Sequence, residues 1–322
     1  MTVVNLLPPG FLDDALRAEV RTGLTMTPKA LPSKWRYDVH GTALFEKLRQ
    51  LPEYYPARTE SAIVRAAVGQ VAELSVARTL VELGLGSPEK TRMVLDAFRS
   101  RVNPAAYVGV DISPHVVGRA ERALVGEYPD LAVRAIVADF EEHLGLPGYP
   151  GAAPRLVLVL GSTLGNMLPP RRAAFLARVR SRLAPGDSLL LGAGLVKEPR
   201  TLLAGYDDGA GAAAAFNRNI LAVLNARLGA DFDPDAFDHV AAWVPGTEWI
   251  ELRLRSVTDQ QVRIPGAGLT VSFAAGEEVC ADISARFRRA GLAAELRAAG
   301  FAERCWWTDQ EEMFAISLSV PV

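Results

Sequence analysis

The distribution of hydrophobic positions indicates alternating strands and helices in the middle of the chain. Short apolar runs at 80–83, 107–113, 134–140, 156–160 and 188–191 have the length of strands, and amphipathic stretches separate them. Continuous apolar runs are typical of strands that are covered on both faces, as in a parallel sheet. The alternation therefore predicts an α/β domain built on one such sheet.

The segments around this region follow other patterns. Residues 1–60 are predicted to form helices and loops, and 201–228 is predicted as one helix. Apolar and polar residues alternate over 247–257 and 261–273, which predicts antiparallel strands. The remaining predictions are a strand at 277–287, a helix at 292–299 and a closing strand pair at 305–308 and 313–320.

We therefore expect two domains. The main domain comprises 61–200 plus 287–322, with the last strand pair returning to the main sheet. A second, discontinuous domain comprises 1–60 plus 201–286.

Composition and charge narrow the class of protein. The 322 residues carry a net charge of −2, so no basic surface indicates nucleic acid as a partner. Cys280 and Cys305 are too few for a disulfide framework, and the four histidines lack metal-binding spacing. No signal peptide and no run of apolar residues long enough for a membrane span is recognisable. We expect a cytoplasmic monomer that acts on a small molecule without a metal, a nucleic acid or a membrane.

The segment VELGLGSPEKT at 81–91 is typical of a strand, a glycine-rich turn and a helix start. Glu82 precedes the glycines Gly84 and Gly86, which let the backbone pass close to a ligand. The dinucleotide fingerprint needs a third glycine, but Glu89 occupies that position and would repel a pyrophosphate. S-adenosylmethionine (SAM) fits better, because Glu82 can attract its cationic groups. An ordinary strand–turn–helix is the alternative.

Acidic residues also end the next two predicted strands. Asp111 is suited to accept hydrogen bonds from both hydroxyls of a ribose. Asp139 is suited to accept from an adenine amino group, with Phe140 covering the ring. Both aspartates are also good helix caps. Because the carboxyl ends of parallel strands meet at one edge of a sheet, a ligand crevice explains these sites together.

Several less common segments carry a resemblance to a known family. Over nearly its full length the chain resembles the histidine Nα-methyltransferases of the ergothioneine pathway. The resemblance implies a class I SAM-methyltransferase, with a Rossmann-like sheet and a discontinuous substrate domain. It also implies transfer of up to three methyl groups from SAM to the α-amine of L-histidine, which gives hercynine. The matching segments are KWRYD at 34–38, LPEYYPARTE at 51–60, VELGLGSPEKT at 81–91, ADFEEHL at 138–144, LGSTLGN at 160–166, YDDGAG at 206–211, AAFNRN at 214–219 and FAAGEE at 273–278.

The resemblance also implies roles for individual residues. Tyr54, Asn166 and Tyr206 match residues that hold the amino and carboxylate groups of the substrate, and Tyr37 matches a tyrosine near the imidazole. Asn166 is otherwise a turn residue, and Tyr206 a core residue on a helix face. Gly161 and Thr163 match residues of the loop beside the reacting amine. The family residues that contact SAM are matched by Gly86, Lys90, Asp111, Asp139 and Phe140. Lys90 is otherwise a solvated lysine.

The side-chain end of the substrate site departs from the family pattern. The imidazole-binding pair is a glutamate and a serine in the family, and here it is Asp282 and Ser284. Leu252 replaces a methionine nearby. Aspartate keeps the carboxylate but has a shorter reach, and its alternative role is that of a solvated strand residue. An Nα-methyltransferase of another aromatic amino acid therefore stays open, as does a non-catalytic SAM-binding module.

Overall fold

The structure, a computed structural model, describes residues 3–86, 88–143 and 153–322. The chain divides into two compact units. Unit 1 comprises Met1–Leu7, Pro56–Val196 and Arg286–Val322, and unit 2 comprises Pro8–Tyr55 and Lys197–Ala285. These bounds differ from the predicted ones, since residues 3–7, 56–60 and 286 belong to unit 1 and 197–200 to unit 2.

The elements alternate through most of the chain. The strands are β1 Val3–Asn5, β2 Thr79–Leu83, β3 Ala106–Asp111, β4 Ala132–Val137, β5 Arg155–Val159, β6 Ser188–Gly194, β7 Phe237–Val244, β8 Trp249–Ser256, β9 Gln260–Ile264, β10 Leu269–Phe273, β11 Glu278–Ala285, β12 Phe301–Thr308 and β13 Phe314–Pro321. The α-helices are α1 Phe11–Thr25, α2 Val39–Gln50, α3 Tyr55–Ser75, α4 Pro88–Arg99, α5 Pro114–Glu127, α6 Pro169–Arg180, α7 Pro199–Ala204, α8 Ala212–Leu228 and α9 Arg289–Ala298. Within the described ranges, no helix combines the length and the apolar character that crossing a membrane requires.

Unit 1 is built on a sheet whose described strands lie in the order β1-β4-β3-β2-β5-β6-β13-β12. The pairs from β1 to β6 are parallel, and β13 is antiparallel to both of its neighbours. Residues of β2 and β6 are buried throughout, as expected for strands covered on both faces. The predicted α/β fold on a mainly parallel sheet is confirmed, and the last strand pair returns to the main sheet as predicted.

Unit 2 combines helices with short antiparallel sheets. Strand β8 lies between β11 and β7, and β9 and β10 form a separate hairpin. In this register Asp282 lies opposite Leu252, after an irregularity in β11 that follows Cys280. Helices α2 and α8 pack through a small core that contains Leu48 and Phe216. The sheet thus brings two predicted substrate residues side by side.

Two predicted elements of unit 2 are each divided in the structure. The predicted helix at 201–228 consists of α7 and α8, because Gly211 adopts a φ of 74° and Asp208 accepts hydrogen bonds from the backbone N–H groups that begin α8. The predicted strand at 261–273 is the β9–β10 hairpin, which turns between Pro265 and Gly268. Strands β1 and β7 were not predicted.

Candidate functional site

The glycine-rich turn after β2 is bonded to the end of β3. Gly84 has a φ of 81°, and its N–H donates to the carbonyl of Val110 at 2.9 Å. The N–H of Leu85 donates to Asp111 Oδ2 at 3.0 Å. A positive φ favours glycine, so the residue type and the turn agree. The structure therefore brings together two parts of the predicted cofactor site, the glycine motif and Asp111.

Asp111 uses its other carboxylate oxygen within the same turn. Its Oδ1 accepts from the N–H of Ser113 at 2.8 Å. Ser113, and not Asp111, is the N-cap of α5, so the alternative role of Asp111 as a cap is wrong. Burial raises the pKa of Asp111 to about 6, and the backbone N–H donors only partly oppose that effect.

Phe140 and Thr163 lie close to this turn. A Cβ atom added to Gly84 would lie 3.7 Å from the Phe140 ring and 3.8 Å from Thr163 Oγ1. Asp139 is buried, and its Oδ1 accepts from the N–H of Glu141 at 3.0 Å in a local turn. Phe140, one of the two predicted adenine contacts, and the loop after β5 therefore meet at the glycine turn.

Glu82 is enclosed beside the turn. Its Oε2 accepts hydrogen bonds from the hydroxyls of Tyr107 at 2.6 Å and Thr91 at 2.8 Å. Burial raises the pKa of Glu82, although both hydroxyl donors oppose that effect. Its attraction for the cationic groups of a cofactor stays a prediction.

Lys90 is buried, so its alternative as a solvated lysine is wrong. It forms an ion pair with Glu60, whose carboxylate is also buried. Glu60 Oε1 accepts from the N–H of Gly161 at 2.6 Å. A Cβ atom on Gly86 or on Gly161 would lie 4.0 Å from Lys90 Nζ. Glu60 thus links the glycine turn to the loop after β5, although we had not predicted it as a site residue.

The loop that follows β5 has an uncommon backbone. Gly161 has a φ of 79° and Ser162 a φ of 59°, a conformation that is costly for serine. The Ser162 hydroxyl is buried without a hydrogen-bond partner among the described residues. Thr163 Oγ1 donates to the carbonyl of Leu160 at 2.7 Å, and exposed Asn166 ends the following turn. Backbone strain and an unsatisfied hydroxyl are features that accumulate at functional sites.

In unit 2 the predicted substrate tyrosines form a chain of aromatic contacts. The rings of Tyr54 and Tyr206 are 5.9 Å apart, those of Tyr54 and Phe45 are 6.0 Å apart, and those of Phe45 and Tyr37 are 5.5 Å apart. The hydroxyl groups of Tyr206 and Ser284 lie 2.9 Å apart. Tyr206 lies in the turn between α7 and α8 and not on a helix face, but its side chain is buried, as that of a core residue would be.

Asp282 forms a buried ion pair with Arg36. The exposed fraction is 1% for the Arg36 side chain and 5% for that of Asp282, so the alternative of a solvated strand residue is wrong. Arg36 Nη1 donates to Asn217 Oδ1 at 3.3 Å, and the guanidinium lies 4.6 Å from the centre of the Phe216 ring. Leu252, opposite Asp282, is buried as well.

A polar chain leads from this ion pair back to Tyr206. Asn217 Nδ2 lies 3.1 Å from His239 Nδ1, and His239 Nε2 lies 2.7 Å from the backbone carbonyl of Tyr206. Burial lowers the pKa of His239, which favours the neutral ring that donates from Nε2. We had not predicted Arg36, Asn217 or His239 as site residues, although KWRYD and AAFNRN contain the first two.

The two units thus offer different chemistry. Unit 1 combines a close backbone approach at Gly84, a carboxylate at Asp111 and an aromatic ring at Phe140, and these features fit SAM. The predicted amino-acid contacts are divided, because Asn166, Gly161 and Thr163 belong to unit 1 and the tyrosines to unit 2. The described part of the chain contains no cluster of three or more histidine, cysteine or acidic residues placed to hold a metal ion.

Comparisons with known proteins agree with this chemistry. The model of a family described as "Histidine-specific methyltransferase, SAM-dependent" matches residues 16–321. The chain is 48% identical to a histidine N-alpha-methyltransferase of Mycolicibacterium smegmatis, over 99% of both chains. It is 48% identical to that of Mycobacterium tuberculosis, over 95% of this chain and 94% of the relative. A 4-dimethylallyltryptophan N-methyltransferase of Claviceps purpurea is 28% identical over 61% of this chain and 60% of its own. With the family resemblance confirmed, the chain belongs to the SAM-dependent histidine-specific methyltransferases.

Proposed function

We propose that the protein transfers methyl groups, up to three, from SAM to the α-amine of L-histidine and so produces hercynine. The observation that carries this proposal is the placement of Asp282 and Ser284. Both are buried, and they are two residues apart on β11 and so share a face. The resemblance assigns the imidazole to these two positions. The family and its two bacterial relatives of nearly full length support the same substrate.

The proposed SAM site lies in unit 1. Asp111 would accept hydrogen bonds from both ribose hydroxyls, Asp139 would accept from the adenine amino group, and Phe140 would cover the adenine ring. Gly84 and Gly86 would admit the amino-acid part of SAM close to the backbone, with Glu82 and Lys90 supplying charge around it.

Bound SAM would supply an electrophilic methyl group, and the residues of the chain would aim the acceptor. The amine must be neutral, because a protonated amine has no lone pair for the in-line displacement. Asn166 and the carbonyl of Gly161 would accept hydrogens of the amine and so direct its lone pair, and Thr163 would line the same loop. Tyr54 and Tyr206 would hold the amino and carboxylate groups, with Tyr37 nearer the imidazole. Positioning of this kind can account for much of a rate enhancement.

Nα-methylation of another aromatic amino acid is a second candidate. It is favoured by the engagement of Asp282 with Arg36 and by the apolar, buried Leu252 beside it. We further propose that the protein acts as a monomer in the cytoplasm, which gel filtration and cell fractionation would test.

The proposed function is tested by substrate screening. The protein is incubated with SAM and each common amino acid, and mass spectrometry counts the methyl groups that are added. We expect histidine to gain up to three. Methylation of another aromatic amino acid in preference to histidine would support the second candidate, and no methylation at all would contradict both.

A further inference from the structure

Arg36 lies where it can neutralise the carboxylate of Asp282, a residue predicted to contact the side chain of the substrate. Asp282 is the only carboxylate among the predicted substrate residues, and its Oδ2 forms the ion pair with Arg36. Arg36 Nε also donates to the carbonyl of Ser33 at 3.3 Å, and Nη1 donates to Asn217. These hydrogen bonds, together with the stacking on Phe216, hold the guanidinium in place.

Four described groups near the ion pair, those of His239, Cys280, Glu251 and Arg253, are either neutral or paired with an opposite charge. His239 is buried with a lowered pKa and is therefore neutral near pH 7. Burial raises the pKa of Cys280 to about 12, so this thiol is also neutral. Glu251 and Arg253 flank Leu252 along β8, so they point to the other face of the sheet. There they form ion pairs with each other and with Glu278, which also pairs with Arg255, so these two acids and two arginines balance.

Charge compensation matters because the pair is buried. A lone carboxylate in such a place would attract a cationic side chain strongly, since water screens it poorly. A carboxylate beside a guanidinium presents a local dipole with no net charge. It can still accept a hydrogen bond from a neutral ring N–H. It attracts a cation only weakly, however, so the attraction does not offset the free energy that the cation loses when it is desolvated.

We propose that Arg36 is a specificity-determining residue: by neutralising Asp282 it makes the side-chain end of the substrate site accept a neutral ring that donates an N–H and reject cationic side chains. This inference rests on the proposed function, because it takes Asp282 to face the side chain of the substrate. Lysine and arginine are the amino acids that the arrangement excludes.

The native protein supplies the first test, with lysine and norleucine as competitors of histidine methylation at saturating SAM. Norleucine has nearly the shape of lysine without its ammonium group. We expect lysine to inhibit no better than norleucine. Tenfold stronger inhibition by lysine would overturn the proposal without any variant.

Variants then separate the two charges. In Arg36→Met, Asp282 loses the guanidinium that neutralises it, which should raise the ratio of lysine to norleucine inhibition at least tenfold. Asp282→Asn added to that variant removes both charges and should restore the native ratio, and Arg36→Lys, which keeps the cation, should preserve it. S-adenosylhomocysteine binding and thermal unfolding report that each variant is folded.

The outcomes distinguish the two proposals. The role proposed for Arg36 is refuted in either of two cases: folded Arg36→Met keeps the native ratio of lysine to norleucine inhibition, or the raised ratio persists in the double variant. If the native protein methylates histidine, the proposed function still stands in both cases. If Arg36→Met does not fold, the inhibition measured on the native protein decides. If the native protein methylates no amino acid, the proposed function fails and this inference fails with it.

Discussion

Replacing Asp111 by asparagine should weaken cofactor binding and stabilise the ligand-free protein. The pKa of Asp111 is raised from its ordinary value of 3.8 to about 6. At about 1.4 kcal/mol per pH unit, keeping this carboxylate ionised in the folded protein costs about 3 kcal/mol at pH 8. Asparagine removes that cost but loses one of the two backbone N–H bonds, at Leu85 or Ser113, worth about 1 kcal/mol. The net gain at pH 8 is about 2 kcal/mol.

The pH dependence of this gain follows from linkage. A carboxyl group whose pKa is raised in the folded state binds its proton more tightly there than in the unfolded state. The native protein therefore loses stability as the pH rises from 3.8 through 6, and Asp111→Asn does not lose that part. The advantage of the variant should fall from about 2 kcal/mol at pH 8 to about 0.5 kcal/mol at pH 5.

Cofactor binding should change in the opposite sense, because a ribose needs the ionised carboxylate. Asp111→Asn should bind S-adenosylhomocysteine roughly 30-fold more weakly at pH 8, which corresponds to about 2 kcal/mol. The native dissociation constant should rise roughly tenfold from pH 8 to pH 5 as Asp111 gains its proton, beyond any change in the variant.

Calorimetry and urea unfolding at both pH values measure these effects. The variant serves as the control for titration of the ligand and of other protein groups. A variant less stable than the native protein at pH 8 would refute the cost assigned to Asp111. A native affinity that changes with pH no more than that of the variant would refute its assignment to the ribose.

Three other substitutions test separate parts of the structure. Asn166→Ala should lower kcat at least tenfold and change S-adenosylhomocysteine affinity little, because Asn166 would align the amine and not the cofactor. Glu60→Gln removes the carboxylate that pairs with the buried Lys90 and should lower the free energy of unfolding by about 3 kcal/mol in urea. Gly41→Ala places a Cβ atom 1.7 Å from the carbonyl oxygen of Arg36, so the melting temperature should fall by the equivalent of about 2 kcal/mol or more.

Matched controls accompany these variants. Glu295→Gln breaks a more exposed ion pair with Arg172 and should lower the free energy of unfolding less than Glu60→Gln does. An equal decrease would refute the larger contribution assigned to the buried Glu60–Lys90 pair. Gly209→Ala introduces a Cβ atom with no neighbour within 4 Å and should be nearly neutral. Near-normal methylation by Asn166→Ala would leave that residue with a role in the turn only.

The hydrophobic pattern of the sequence predicted the strands that are buried evenly on both faces. The strands of the parallel sheet are continuous apolar runs because both faces are covered, and acidic residues at their carboxyl ends meet by topology alone. Strand β7, FDHVAAWV, was missed because most of its residues are half-buried and show no clean alternation. Strand β1 has only three residues and so carries too little pattern.

The buried ion pairs were beyond any local pattern. Arg36 and Asp282 are far apart in the sequence, as are Glu60 and Lys90, and a charged residue is normally expected at the surface. Only the resemblance marked their neighbourhoods, because Arg36 lies in KWRYD and Glu60 in LPEYYPARTE. Tertiary packing decides which charges are buried together.

The antiparallel insertion of β13 between β6 and β12 has a consequence for how the chain matures on the ribosome. Strand β6 ends at Gly194 and its neighbour β13 begins only at Phe314, so a nascent chain presents an open, largely apolar strand edge while all of Lys197–Ala285 is being synthesised. Such an edge can pair with other chains. We expect arrested chains that stop before Phe314 to be protease-sensitive in 56–196 and to engage chaperones, whereas chains that extend past β13 become resistant. Resistance of the shorter chains would show that the sheet closes without its last strands.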